Sequence, residues 1–273
     1  MKLNVLLILL FTINSFSQQP KSIISTQEEL EESVKLAPCD SKQRLDAVKK
    51  LFAQMGAKEE EITVEAFDKD KIKNVVVKLK GLSDETVIVG AHYDKTDDGC
   101  GAIDNWTGVS IIAHLYKTFR QMTNEKSYIF VAFDQEEKGL RGSAAMVKNL
   151  IREQKKQYCA MVNLDSFGFS VPFSLAQTTS PQMVEIANNV ATQLDIKYAN
   201  VLFAGADADS SSFKMNRIPA ITFSGLDNKW QDYLHSKNDK LEQINMLSVY
   251  LGYRFALTFI NKLEMITCNK LNK

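Results

Sequence analysis

The period of the hydrophobic positions changes repeatedly along the chain, and each change marks an element. From Lys42 to Met55 the residues Leu45, Val48, Leu51, Phe52 and Met55 recur with helical spacing, and Gly56 supplies a stop. Two β-rich runs follow, Asn74 to Leu79 and Thr86 to Val89. Trp106 to Phe119 reads as a helix, Tyr128 to Phe133 as a buried strand, Ser143 to Ile151 as a helix and Ala160 to Leu164 as a strand. Pro181 to Leu194 is helical, Pro219 to Phe223 is a strand, and Leu241 to Leu263 is a closing helix. Strands alternating with helices predict an α/β fold with a mixed, mostly parallel central sheet and helices on both faces. No internal repeat or low-complexity segment breaks the alternation.

One stretch lies outside this pattern. Met1 to Ser17 carries a single charge, Lys2, then the apolar run Val5 to Phe11, then small or polar residues around Ser15 and Ser17. That layout predicts a cleaved export signal over residues 1–18, with an uncleaved anchor as the alternative. The run is shorter than the roughly 20 residues a spanning helix needs, and none like it recurs, so no stable membrane insertion is expected. Residues 19–273 suit one α/β domain with a helical N-terminal segment.

Composition narrows the partners. Lys plus Arg and Asp plus Glu both count 33, so no global field favours nucleic acid, an anionic membrane or a strongly acidic partner. Cys39, Cys100, Cys159 and Cys268 lack zinc-finger spacing. In an exported protein they are either disulfides, in one of three pairings, or free buried thiols.

The polar residues gather where strands end. His92 and Asp94 follow the run ending near Gly90, Glu136 and Glu137 follow Phe133, and Asp165 follows Leu164. Ligands of open α/β sheets bind at this edge, so residues far apart in sequence can meet there. A lone loop carboxylate is usually only solvated, but several such coincidences point to one site. Of the 3 histidines, His92 and His235 each have an aspartate close behind, Asp94 and Asp239, able to accept the second ring proton and fix a ligating tautomer. His114 sits within a helix among apolar and basic neighbours and reads as a packing or surface residue. Nitrogen and oxygen donors without thiolates favour zinc, with cobalt or manganese as alternatives. His92, Asp104, Glu137, Asp165 and His235 suffice for two ions with one bridging carboxylate, which leaves Glu136 free as a base.

The strings Gly90 to Asp94, Gly101 to Gly108, Phe133 to Ser143, Asn163 to Asp165 and Leu234 to Asp239, taken in order, resemble the secreted di-zinc aminopeptidases, relatives of the glutaminyl cyclases. The resemblance runs from about Lys42 to the last helix and implies a zinc-dependent exopeptidase fold. It implies two Zn2+ ions, with His92 and Asp165 on one, Glu137 and His235 on the other, and Asp104 bridging. Glu136 would be the general base and Asp94 the partner of the first histidine. The implied reaction is hydrolysis of the N-terminal peptide bond of a peptide with a free N-terminus, by a hydroxide held between the two zinc ions. Two departures stand out. Ser210 follows Asp209 where the family has His, and Leu234 precedes the last ligand where some relatives have an oxyanion-steadying Tyr, leaving Tyr233 or a backbone amide for that task. Alternatives are a one-zinc glutaminyl-peptide cyclotransferase and a non-catalytic binding ectodomain on the same fold. Asn105-Trp106-Thr107 fits a glycosylation sequon, read as coincidence because it adjoins the bridging ligand.

Overall fold

The computed structural model describes residues 22–69, 71–150 and 155–272; the expected export signal lies outside them, as does Ile151. The chain runs α1 (Gln27–Val34), α2 (Ser41–Gln54), β1 (Ile62–Phe67), β2 (Ile72–Leu79), β3 (Thr86–His92), α3 (Thr107–Phe119), β4 (Ser127–Phe133) and α4 (Arg141–Asn149). It continues with β5 (Tyr158–Phe167), β6 (Phe173–Leu175), α5 (Pro181–Leu194), β7 (Asn200–Val201), α6 (Ser210–Met215), β8 (Ala220–Gly225), α7 (Met246–Glu264) and α8 (Cys268–Leu271). The eight strands form one sheet in the order β1-β2-β4-β3-β5-β8-β6-β7. Its centre, β4-β3-β5-β8, is parallel, while β2 and β6 join it antiparallel. The mixed, mostly parallel sheet expected from the alternation is therefore present.

β3 and β4 are buried along their whole length because helices cover both faces. On one face α3 and α7, with α1, α2 and α5, pack a large core that includes Trp106, Phe130, Phe223 and Phe255. On the other, α4 and α6 cover a smaller cluster around Val131, Phe133, Met161 and Phe213. Gly90 is required by this packing, since a Cβ there would lie 2.5 Å from the Phe133 ring.

Several boundaries move for local reasons. The closing helix starts at Met246 rather than Leu241, because the Asn245 side chain caps the Leu247 amide and Leu241 to Gln243 form a separate 3-10 turn. The helix read from Trp106 starts at Thr107, after a tight turn over Ala102–Trp106. α1 opens with a capping box in which Thr26 and Glu29 bond each other's main chain. Cys39 pairs with Cys100 and Cys159 with Cys268, so both bridges form.

His114 is a core residue. Its two ring nitrogens meet the hydroxyls of Ser33 at 2.8 Å and Ser25 at 2.7 Å, fastening the N-terminal segment to α3. Burial, then Lys117, pushes its pKa down to about 4. A histidine held neutral in the fold but charged in the unfolded chain contributes stability above its unfolded pKa that is lost as pH falls towards the folded one. Between pH 7 and pH 4 this group should cost the native state about 2 to 3 kcal/mol. Urea unfolding of His114→Gln should be weaker at pH 7 yet flatter over that window; parallel curves for variant and wild type would rule the effect out.

Candidate metal centre

Three neighbouring parallel strands deliver the site. β3 lies between β4 and β5, so the chain leaves β3 for one side, returns over it and continues on the other. Such a reversal opens a crevice at the strands' C-terminal ends. His92 closes β3, Asp165 lies near the end of β5, and Glu136 and Glu137 follow β4 after Gln135, whose φ is +56°. That turn splits the doublet. Glu136 Oε2 lies 4.0 Å from His92 Nε2, whereas Glu137 Oε2 lies 3.0 Å from His235 Nε2.

Three overlapping groups of donors result: His92, Glu136 and Glu137 form one, and the two others share Asp104. Of these two, His92, Asp104 and Asp165 form the first, and Asp104, Glu137 and His235 the second; within each, one ligand atom per residue lies within 4.8 Å of the others. Asp104 turns Oδ1 to His92 at 3.0 Å and Oδ2 to His235 at 3.2 Å. The His92 ring is 3.7 Å from Asp165 Oδ1.

The main chain around these residues is pinned. Asp94 lies 3.4 Å from His92 Nδ1 and accepts the amides of Glu136 at 2.9 Å and Glu137 at 3.3 Å, so it holds the doublet as well as facing the ring. Asn105 is wholly buried, donates to the Leu164 carbonyl at 2.9 Å and accepts from the amides of Gly108 at 3.0 Å and Ser166 at 3.1 Å. Its amide group is thus spent on tying the Asp104 loop to β5, which leaves the sequon buried. Asp239 differs from expectation. Its Oδ1 accepts the Ile103 amide at 2.7 Å, which places it behind the Asp104 loop, and the carboxylates paired with His235 are those of Asp104 and Glu137.

Electrostatics fit a cation. Burial alone would lower the His92 pKa, yet Glu136, Asp104, Asp165 and Asp94 raise it well above the ordinary value. Asp104 and Glu137 raise His235 to about 10. Burial, reinforced by Asp165 and Asp209, pushes Glu136 far up although His92 opposes it. The crevice thus concentrates carboxylates that draw protons onto both imidazoles, a demand that divalent ions meet without protons. Oxygen and imidazole donors without thiolate suit zinc, and Glu137 Oε1 is buried without a hydrogen-bond partner.

A sequence profile of Peptidase family M28 matches residues 74–251. The chain belongs to this family. Within it, the chain is similar to the probable leucine aminopeptidase of Trichophyton verrucosum, 26% identical over 247 residues that cover 81% of this chain and 65% of the relative. Curated relatives of this M28 chain are longer, and it spans between 16% and 65% of their length. Among solved structures it is similar to the Legionella pneumophila LapA aminopeptidase, at a TM-score of 0.76 and 18% identity over 97% of this chain and 81% of that one. An Acidobacteriales glutaminyl cyclase also has a TM-score of 0.76, at 14% identity over 93% of this chain and 99% of the cyclase. At such identities both share the fold.

Beside the donors, this M28-family chain has a cavity of about 500 Å³. Its lining includes His92, Asp104, Glu136, Glu137, Asp165 and His235 together with an apolar set, Leu175, Phe203, Leu226, Trp230 and Leu234. No Lys or Arg lines it among the described residues. The apolar lining is not marked in the sequence because Phe203 comes from a loop and Trp230 from a three-residue 3-10 turn, neither with a periodicity to mark it; Phe203 stacks on Phe173 at 5.3 Å and meets Trp230 edge-on at 6.0 Å. Tyr233 stacks on Phe169 at 4.5 Å and is not part of the lining. Ser210 lies behind the site, bonded to Thr222 at 2.6 Å, next to the wholly buried Asp209.

Proposed function

We propose that this M28 peptidase is an exported aminopeptidase holding two zinc ions, one at His92, Asp104 and Asp165, the other at Asp104, Glu137 and His235. The observation that carries it is the pair of donor groups meeting at Asp104, each with an imidazole and a further carboxylate. Two disulfides suit an oxidising compartment and support export.

Zinc bound there supplies Lewis acidity, polarising the scissile carbonyl and making water nucleophilic near neutral pH. Glu136 belongs to neither group that shares Asp104 and faces His92 across the crevice. It takes the proton of the attacking water at a carboxylate oxygen and passes it to the departing amine nitrogen. In the metal-free site burial and neighbouring carboxylates raise its pKa, against the opposing pull of His92. Asp94, holding both doublet amides, fixes where that carboxylate points.

Substrate polarity follows from the lining. Among the described residues the lining offers acidic side chains and no Lys or Arg, which favours a cationic α-amine over a C-terminal carboxylate. The apolar set of Phe203, Trp230, Leu226 and Leu234 takes the side chain of the N-terminal residue.

Zinc stoichiometry measured beside hydrolysis of aminoacyl-p-nitroanilides tests this function. Two zinc ions per chain with chelator-sensitive, zinc-restored hydrolysis are expected. One zinc with cyclisation of N-terminal glutamine would identify a glutaminyl-peptide cyclotransferase instead, and full hydrolysis by metal-free protein would overturn the mechanism.

A further inference from the structure

Arg44, on α2, is a fully buried cation that forms no ion pair among the described residues. Its donors go to main-chain carbonyls: Nε to Tyr93, Nη1 to Pro38 and Cys100 at 3.0 Å each, and Nη2 to Gly101 at 3.1 Å. The guanidinium also lies 5.1 Å from the centroid of the Trp106 ring. Burying a charge is costly unless its bonds are met, so its place among carbonyls needs a reason.

Three of those four carbonyls, all but that of Pro38, belong to the segments that present His92 and Asp104. Tyr93 follows His92 directly, Cys100 and Gly101 lead into the turn over Ala102–Trp106 that carries Asp104, and Trp106 closes that turn. Gly101 has φ +60°, and a Cβ there would come within 3.1 Å of Arg44 Nη1, so the guanidinium sits hard against the loop. One planar fork thus binds both sides of the gap across which Asp104 Oδ1 meets His92 Nε2 at 3.0 Å. A lysine carries three donors on one atom and cannot reproduce four bonds directed from three separate nitrogens.

A plain fastening role would be redundant. The Cys39–Cys100 bridge already ties the approach to α2 covalently to the residue whose carbonyl Arg44 holds. What the guanidinium adds is orientation of the carbonyls flanking both ligands.

We propose that Arg44 is a positioning residue for the metal centre: by gripping the Tyr93, Cys100 and Gly101 carbonyls it sets the spacing of His92 and Asp104, a role that rests on the ligand assignment under Proposed function. Because Asp104 is common to both donor groups, loosening its loop weakens both.

The test uses full-length, disulfide-intact protein carrying Arg44→Lys or Arg44→Met. Zinc affinity is read by competition with a chromophoric chelator, and hydrogen exchange at the Ile103 amide is read on metal-free protein. Expected are a 10- to 100-fold loss of zinc affinity, the range seen when a residue supporting metal ligands is removed, and faster exchange at Ile103 with unchanged exchange in the β3 and β5 amides. Wild-type zinc affinity in folded Arg44→Lys overturns the proposal, as does weakened zinc binding without faster exchange at Ile103, which would assign the effect to charge rather than position. If Arg44→Met does not fold, Arg44→Lys decides. Should wild-type protein take up no zinc, the ligand assignment fails and the exchange measurement alone decides whether Arg44 orders the loop.

Discussion

Glu136→Gln is expected to leave two zinc ions per chain and remove 10²- to 10⁴-fold from kcat, the contribution general acid–base catalysis makes. The two side chains have nearly the same shape, and the amide of residue 136 remains bonded to Asp94 at 2.9 Å, so the loop presenting Glu137 to His235 stays in place. What disappears is an oxygen that can accept a proton. The native fold also loses a buried carboxylate set beside other carboxylates, so the variant should melt no lower than wild type. KM for an aminoacyl-p-nitroanilide should move little while kcat collapses, because the substrate's amine and side chain meet other groups. Turnover at the native rate with zinc retained would assign the base elsewhere. Loss of zinc together with rate would make Glu136 a ligand.

How far such a prediction could be framed without coordinates depends on where each residue's partner lies. β3, β4 and β5 are buried, so their apolar runs end abruptly at His92, Phe133 and Leu164, and the polar residues just beyond mark the sheet edge in the sequence itself. The split of the Glu136-Glu137 doublet was likewise legible, because consecutive side chains leaving a strand diverge. Asp239 was not. Its partner, the Ile103 amide, is 136 residues away, and proximity to His235 in sequence suggested a contact that the fold gives to Glu137 and Asp104 instead. β1 shows only partial burial along one edge of the sheet, so it lacks the apolar run that marks the central strands. The cavity's apolar lining is assembled from Leu175 in β6, Leu226 just past β8, the loop around Phe203 and the 3-10 turn at Trp230, whose side chains come together only after folding. Cysteine pairing is set by the same long-range geometry, since the bridges span 61 and 109 residues.

Asp104→Asn should have the larger effect on metal and an effect on rate at least as large. Asp104 is the residue at which both donor groups meet, and each oxygen faces a different imidazole, Oδ1 to His92 at 3.0 Å and Oδ2 to His235 at 3.2 Å. Asparagine keeps one acceptor oxygen and offers an NH2 on the other side. Whichever way the amide turns, one histidine faces a group that cannot ligate, and the centre loses the negative charge that two cations would share. Zinc affinity should therefore fall by more than the 10- to 100-fold typical of residues that only support ligands, with at most one ion retained per chain. The chain itself should stay folded, because the loop is still anchored by Asn105 on Leu164 and by Asp239 on the Ile103 amide. Metal content by atomic absorption, read beside circular dichroism, separates the two effects. A folded variant with two zinc ions and near-native affinity would remove Asp104 from the bridging position and, with it, the reason for placing two ions in this crevice. A variant that binds one ion and still hydrolyses aminoacyl substrates at the native rate would show that only one of the donor groups is needed for the reaction.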